Sequence, residues 1–392
     1  MSWTRRSVLG ALGALVAAPA VGATPPKRLV VVLADGGWDA WLTLDPRPEM
    51  VRERDQALVD GADETTSTYA GISFGSNPVS RPLTESFLAR WASRAVVLRG
   101  VWSGAIGHEA ALLRALTGTS TPGAPDLGAI VGSVLGHRHP VGYVDLSGRG
   151  MPGDLGGAMA RVGVRQQLGW LLDPTEGAVD RAVADAWVRR RSSILRDGTA
   201  GGEAIADALV AARDRAGALR GAGADLVPGA WLKTDSTATL AADLLARDVC
   251  ASVMLDSGQS WDFHERATGM NGSWEGLSDL LELLLTALDE RGILDDTLVL
   301  VRSEMGRTPW RNPLGGTDHW PVGSALLLGG GLDGGRVVGA TGDDHAALPV
   351  SLTTGLPDPT GEVISYGHLA AGVLAALGVD ARLWLPDAPL GL

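Results

Sequence analysis

Thr297–Pro321 reads TLVLVRSEMGRTPWRNPLGGTDHWP. Its opening residues, Thr297, Leu298, Val299, Leu300 and Val301, are apolar or β-branched and uncharged, the pattern of a strand buried on both faces. Before it, Leu277, Leu280, Leu281, Leu284 and Leu288 recur at helical spacing and Gly292 closes the run. That pairing predicts a helix feeding a strand of a parallel sheet. At the strand's exit the chemistry changes. Ser303, Glu304 and Arg307 arrive first, then a Gly/Pro-rich loop carrying Asp318 and His319. Open α/β sheets bind ligands outside the carboxyl ends of their strands, so an acid and an imidazole delivered there are candidate metal ligands. The competing reading is a capped strand end with an Arg307–Glu304 ion pair.

Other strand exits carry similar groups. Arg28–Ala34 (RLVVVLA) runs into Asp35-Gly36-Gly37-Trp38-Asp39, a carboxylate followed by glycines that let the backbone turn close to it. An Asx turn closing the strand is the alternative. Ala95–Val101 leads to His108 at the start of a helix over Glu109–Leu116. Unpaired N–H groups there favour an anion, whereas a capping or packing histidine is the plainer reading. Ala251–Leu255 is followed by Trp261-Asp262-Phe263-His264. Asp262 and His264, two apart, face one side in extended geometry. Val141–Leu146, Ser324–Leu328 and Val337–Val338 complete the expected strands, the last at an edge. Helices are expected over Leu83–Trp91, Leu127–Leu135 and Ser365–Leu377. Asp45–Phe74 reads as a surface loop, and about 155–246, rich in Ala, Arg, Asp and Leu, as a helical insertion. His137, His139, His345 and His368 fall outside the strand-end pattern and read as surface or packing residues. The fold class is therefore α/β, a mixed, largely parallel sheet between helices, in one domain over 24–392.

The chain of 392 residues is 45% hydrophobic, enough for a sizeable core, and its net charge of -12 argues against nucleic-acid binding, since no basic face for phosphates stands out. Thr4-Arg5-Arg6-Ser7-Val8-Leu9 leads into the apolar run Gly10–Ala20 and the small residues Val21-Gly22-Ala23. This is the layout of a twin-arginine export signal, 1–23, too short to span a bilayer. The expectation is a mature chain from near Thr24, periplasmic or secreted, with no stable membrane span. Cys250 is the only cysteine, so no internal disulfide is available, and its apolar context marks a buried thiol.

Three stretches carry a resemblance: VVVLADGGWD, WDFH together with SEMGRTP and GGTDHWP, and YGHLAAGVLAALGVD. They resemble an exported bacterial domain-of-unknown-function family with SEFGRTP and GRDHW signatures, allied to the alkaline phosphatase and sulfatase superfamily. The likeness covers about Lys27 to Leu392. It implies an alkaline-phosphatase-like sheet with a metal site on the strands' carboxyl edge. By resemblance Asp262, His264 and His319 complete one site, and Asp35 and Glu304 begin another. The chain departs from the superfamily in two places. Glu304-Met305 stands where an Asp-His pair is expected, and Gly107-His108 opens the helix where a hydroxyl or thiol nucleophile would sit, with Ser103 the nearest hydroxyl.

Two functions follow. One is a metal-dependent hydrolase of phosphate or sulfate esters, acting on a small-molecule or glycan ester. One or two divalent ions would serve it, zinc or manganese by the His ligands and calcium by the acids. Arg307, pairing bidentately with the ester's oxyanion, and His108 are its candidate catalytic residues. The other is an inactive exported binding protein of the same fold, whose 13 Trp residues could include sugar-stacking platforms.

Overall fold

The apolar run at Leu29–Leu33 sits in the middle of the sheet, and that placement explains its composition. The computed structural model describes residues 27–54, 63–162, 178–196, 198–223 and 234–392. The expected signal, 1–23, lies outside the described residues, as does part of the insertion. In chain order the first elements are β1 (Arg28–Leu33), α1 (Pro48–Arg54), β2 (Thr65–Tyr69), β3 (Ile72–Ser76), α2 (Pro82–Trp91) and β4 (Ala95–Trp102). There follow α3 (His108–Thr117), α4 (Leu127–Val134), β5 (Tyr143–Asp145), β6 (Met159–Arg161), α5 (Ala178–Leu195), α6 (Ala200–Gly223) and α7 (Thr234–Ala246). The rest are β7 (Ser252–Asp256), α8 (Gly269–Glu290), β8 (Thr297–Arg302), β9 (Gly306–Arg307), β10 (His319–Trp320), β11 (Val322–Gly329), β12 (Arg336–Val338) and α9 (Tyr366–Ala376).

The main sheet has the order β12-β4-β11-β8-β1-β7-β5-β6. β11 runs antiparallel to both its neighbours, and the remaining pairs are parallel. Alternate residues of each central strand enter opposite cores. Val30, Val32, Val299 and Val301 face the layer containing α2, α7 and α8. Leu29, Val31, Leu298 and Leu300 face the layer containing α3, α4 and α9. A strand apolar on both sides needs helices on both sides, which is the α/β architecture expected. Cys250 is fully buried, and burial pushes its thiol far above the usual range.

Two expectations need correction. Asp45–Phe74 is not merely a loop: it holds α1 and the β2–β3 hairpin, turned at Ala70-Gly71 with positive φ at both residues (50 and 83). Its strands are Thr- and Ser-rich, so their polarity hides a β-branched strand pattern, and the paired positive φ angles match a primed hairpin turn. The insertion is not purely helical either, because β6 adds a parallel edge strand to β5.

Asp126 caps the N-terminus of α4, accepting from Ala129 N (2.8 Å) and Met151 N (2.6 Å). Burial still pushes its carboxyl up to about 6. A carboxyl raised by folding favours the folded state below its unfolded value, and that contribution is lost as pH rises through about 6. Relative to Asp126→Asn, the wild type should therefore lose on the order of 2–3 kcal/mol between pH 4 and 7. Urea melts of both proteins across that range check it; parallel stability curves would contradict it.

Candidate metal centre

The carboxyl ends of β1, β4, β7 and β8 lie on one edge of the sheet, and antiparallel β11 brings its amino end to the same edge. This is why His319, which precedes a strand, joins residues that follow strands. It sits in β10, paired across to Arg307 in β9.

The turn after β1 is built for close approach. Gly36 has φ +130, and a Cβ there would lie 2.7 Å from Asp262 N. The Gly36 N–H donates to both Glu304 carboxylate oxygens at 3.0 Å. Arg307 is fully buried beneath this turn. Its Nε donates to Gly37 O (2.7 Å), its Nη1 to Thr317 O (2.9 Å), and its Nη2 to Gly36 O and Asp262 Oδ1. Both sequence expectations for Arg307 are thereby corrected. It neither pairs with Glu304 nor is free to grip an oxyanion, because its donors are spent on backbone carbonyls and Asp262. It positions Asp262.

The histidines carry the main signal. His264 Nδ1 lies 2.8 Å from Asp318 Oδ1, and His319 Nδ1 lies 2.6 Å from Ile106 O. Both partners only accept, so each Nδ1 carries the proton and each Nε2 keeps a lone pair. Those two Nε2 atoms stand 3.0 Å apart, at 3.0 Å and 3.3 Å from Asp262 Oδ1. His108 repeats the pattern, with Nδ1 2.7 Å from Glu304 Oε1 and Nε2 3.4 Å from Asp262 Oδ2. Lone pairs thus face lone pairs around one carboxylate, an arrangement that calls for a cation or added protons among them. Ligand atoms about 2.0–2.1 Å from a tetrahedral zinc stand roughly 3.3 Å apart, which is the spacing seen. The Nδ1 partners are the outer contacts that fix tautomer and ring orientation in metal sites. His108, Asp262 and His319, whose ligand atoms lie within 4.8 Å of one another, therefore form a candidate cation site, with His264 Nε2 beside Asp262 and His319. The grouping differs from the expected one in bringing His108 in as a candidate ligand, while His264 stands beside the group.

The loop that brings Asp318 and His319 is fastened to His264. Asn312 Nδ2 donates to His264 O and Asp318 Oδ1, both at 2.9 Å, and Thr317 N donates to Phe263 O at 2.9 Å. A Cβ on Gly316 would lie 2.1 Å from the His264 carbonyl carbon. Gly316→Ala should therefore cost about 1–3 kcal/mol and weaken zinc binding, because the two halves of the site are pushed apart. Unfolding with and without zinc checks it; an unchanged stability increment from zinc would refute the effect on the site.

Electrostatics agree with this division. Burial raises the Asp262 carboxyl, but Arg307 and then His319 outweigh it and hold it below the usual range. Burial holds His319 below the usual imidazole value, which keeps it neutral. Asp318 is held low by Asn312 and His264.

Asp35, His108 and Glu304 form a second group, with one ligand atom from each lying within 4.8 Å of the others. It is less open to a cation. Its imidazole atom in reach of Glu304 is the proton-bearing Nδ1, and Asp35 Oδ2 is held by Arg149 Nη2 at 2.5 Å. Burial, then the nearby Glu304, raise the Asp35 carboxyl, with Arg149 opposing. Sequence reasoning passed over Arg149, although it follows β5 at the same edge as the other site groups.

Hydroxyls near the cluster are engaged. The Ser103 hydroxyl, 2% exposed, is shared between Ala105 O (2.6 Å) and Pro321 O (3.1 Å). Ser303 Oγ donates to Ala34 O and accepts from Gly37 N and Trp38 N. Met305 is fully buried against Gly37.

The architecture and the cluster define a class: an α/β protein with an acid-and-histidine cluster, a candidate cation site, at the strands' carboxyl edge. The family described as Protein of unknown function (DUF1501) matches residues 154–382, and the chain belongs to that family. That span contains Asp262, His264, Glu304, Arg307 and His319, while Asp35 and His108 precede it. No curated protein matches the chain. Among solved structures it is similar to a protein in the alkaline phosphatase superfamily from Vibrio parahaemolyticus, with 10% identity, TM-score 0.43, and coverage of 92% of this chain and 69% of that one. It is also similar to the phosphonate monoester hydrolase of Agrobacterium radiobacter, with 14% identity, TM-score 0.38, and coverage of 90% and 74%. The lipoteichoic acid synthase from Listeria monocytogenes is similar at 10% identity, TM-score 0.40, and coverage of 93% and 74%.

Proposed function

We propose that the chain is a metal-dependent hydrolase of phosphate or sulfate esters that works in the cell envelope. The observation that carries this reading is the convergence of three imidazole Nε2 lone pairs on Asp262. His108, Asp262 and His319 would hold the ion, leaving a fourth position for the substrate, with His264 beside it. Nitrogen-rich donors suit zinc, then manganese, and suit calcium poorly. A divalent ion held there would supply Lewis-acid polarisation of an ester oxygen. The protein's part is orientation. Asp318 and Ile106 O fix the two facing rings, Glu304 fixes His108, and Arg307 fixes Asp262. With Ser103 and Ser303 engaged, water is the attacking group. The test is zinc content together with turnover of an aryl phosphate and an aryl sulfate. Zinc with turnover is expected; folded, metal-free and inert protein would sink the reading.

The engaged serines and the buried Met305 favour a second reading, an exported binding protein without turnover. Trp102 and Trp310 are exposed near this edge and could stack on a glycan, whereas Trp38, Trp41, Trp91, Trp261 and Trp274 are core. Zinc binding without turnover, together with glycan binding lost in Trp310→Ala, would select this reading.

Export by the twin-arginine route belongs to the same proposal, supported by Arg5-Arg6 before the short apolar run. Among the described residues no helix is long and apolar enough to cross a membrane. Replacing Arg5 and Arg6 with Lys should abolish periplasmic accumulation; undiminished export would remove the route.

A further inference from the structure

We propose that Arg149 is the anion clamp of this site, resting on Asp35 and closing on the phosphate or sulfate group of the bound ester. The inference rests on the hydrolase reading and adds the residue that recognises the anionic group.

The charge balance favours such a group even beside a bound divalent ion. Asp35, Asp262, Glu304 and Asp318 all border the cluster, and an anionic ester approaching them is repelled unless positive charge offsets the carboxylates. Arg307 cannot reach it, being buried with its donors on Gly36, Gly37, Thr317 and Asp262. Arg149 touches the cluster through a single contact, Nη2 to Asp35 Oδ2, and its side chain is 54% exposed. A guanidinium held by one corner keeps donors for a second, bidentate partner.

The loop that presents Arg149 is firmly built. Asp145, at the end of β5, is fully buried. Its Oδ1 accepts from Ser147 N, Ser147 Oγ and Gly148 N, and its Oδ2 from Gly150 N and Arg161 Nε. Arg161 Nη2 also donates to Gly150 O at 2.6 Å. One buried carboxylate thus wraps the loop on both sides of Arg149, so the side chain projects from a fixed base. The strand it leaves is parallel to β7, which places it at the edge where Asp262 emerges. Arg149 also stands where the second acid group would otherwise need a cation, since His108 turns its protonated Nδ1 toward Glu304.

The test measures binding of inorganic phosphate and of sulfate to zinc-loaded protein by calorimetry, in wild type, Arg149→Ala and Arg149→Lys, with zinc content assayed in parallel. Arg149→Ala should raise the phosphate Kd about 10–100-fold with zinc content unchanged, the loss of one charge-assisted pair. Arg149→Lys should fall between the two. The tighter of the two anions in wild type identifies the ester class. Equal phosphate and sulfate affinity in wild type and Arg149→Ala would overturn the clamp and leave the hydrolase reading standing. Loss of zinc along with the anion would make Arg149 a support of the metal site instead, and would also overturn it. A zinc-loaded wild type that binds neither anion would overturn both.

Discussion

His319→Ala is expected to leave the protein folded and nearly free of zinc. The ring supplies one of two Nε2 lone pairs that face each other at 3.0 Å, and its Nδ1 is spent on Ile106 O. If it is a direct ligand, as proposed, the loss of affinity should exceed the ~10–100-fold typical of an outer partner. Asp318→Asn, which alters only the group orienting His264, gives the comparison and should fall within that smaller range. Stability without metal should change little, since His319 is partly exposed at the sheet edge and holds no core. The pH dependence has a fixed sign. Ligation needs neutral imidazole, and burial holds His319 below its ordinary value, so zinc should be retained at neutral pH and released as pH falls through that lowered value. Zinc content after dialysis, read beside a thermal melt in chelator, decides it. Unchanged zinc in His319→Ala would end the metal-centre assignment.

Much of this site could be read from residue order because its frame is a parallel sheet. A run such as Val299–Val301 has few alternatives once a Leu-spaced helix precedes it, and the residue after its end has a fixed place at the ligand edge. That Asp35, Asp262, His264, Glu304 and His319 gather at one edge was legible for that reason. Periodicity says where a side chain emerges and not what its partners are. Arg307 looked like a substrate group because it follows Glu304 in a polar stretch, yet the Gly36-Gly37 turn folds over it and takes its donors. His108 was read as a candidate catalytic group beside a helix end, whereas its partners, Glu304 and Asp262, come from β8 and the loop after β7. Arg149 escaped notice because it stands in the turn Ser147-Gly148-Arg149-Gly150 after the expected strand Val141–Leu146, with no acid or imidazole beside it to mark a metal ligand. The hairpin at Thr65–Ser76 was hidden by hydroxyl side chains that serve in strands as well as in loops.

Arg307→Ala should be the most destabilising single change at the site, at about 3–5 kcal/mol. The guanidinium is fully buried and ties together three separate stretches: the turn after β1 through Gly36 O and Gly37 O, the loop before β10 through Thr317 O, and Asp262. Truncation leaves buried carbonyls without donors and a carboxylate without its counter-charge, costs that are larger than the net worth of the bonds when made. Arg307→Lys keeps the charge but offers a compact ammonium on a flexible stem. It cannot span carbonyls arranged for a planar fork, so most of the loss should remain. An exposed pair supplies the control. Arg94 Nη1 meets Asp295 Oδ1 at 2.6 Å with side chains 43% and 78% exposed. Arg94→Ala should therefore change stability by no more than about 0.5 kcal/mol. Chemical denaturation of the three variants in chelator separates this effect from metal binding. If Arg307→Ala unfolds outright, Arg307→Lys carries the comparison. An Arg307→Ala protein within about 1 kcal/mol of wild type would mean that the turn and the loop hold their places without the guanidinium, and that Asp262 is oriented by its histidine neighbours alone.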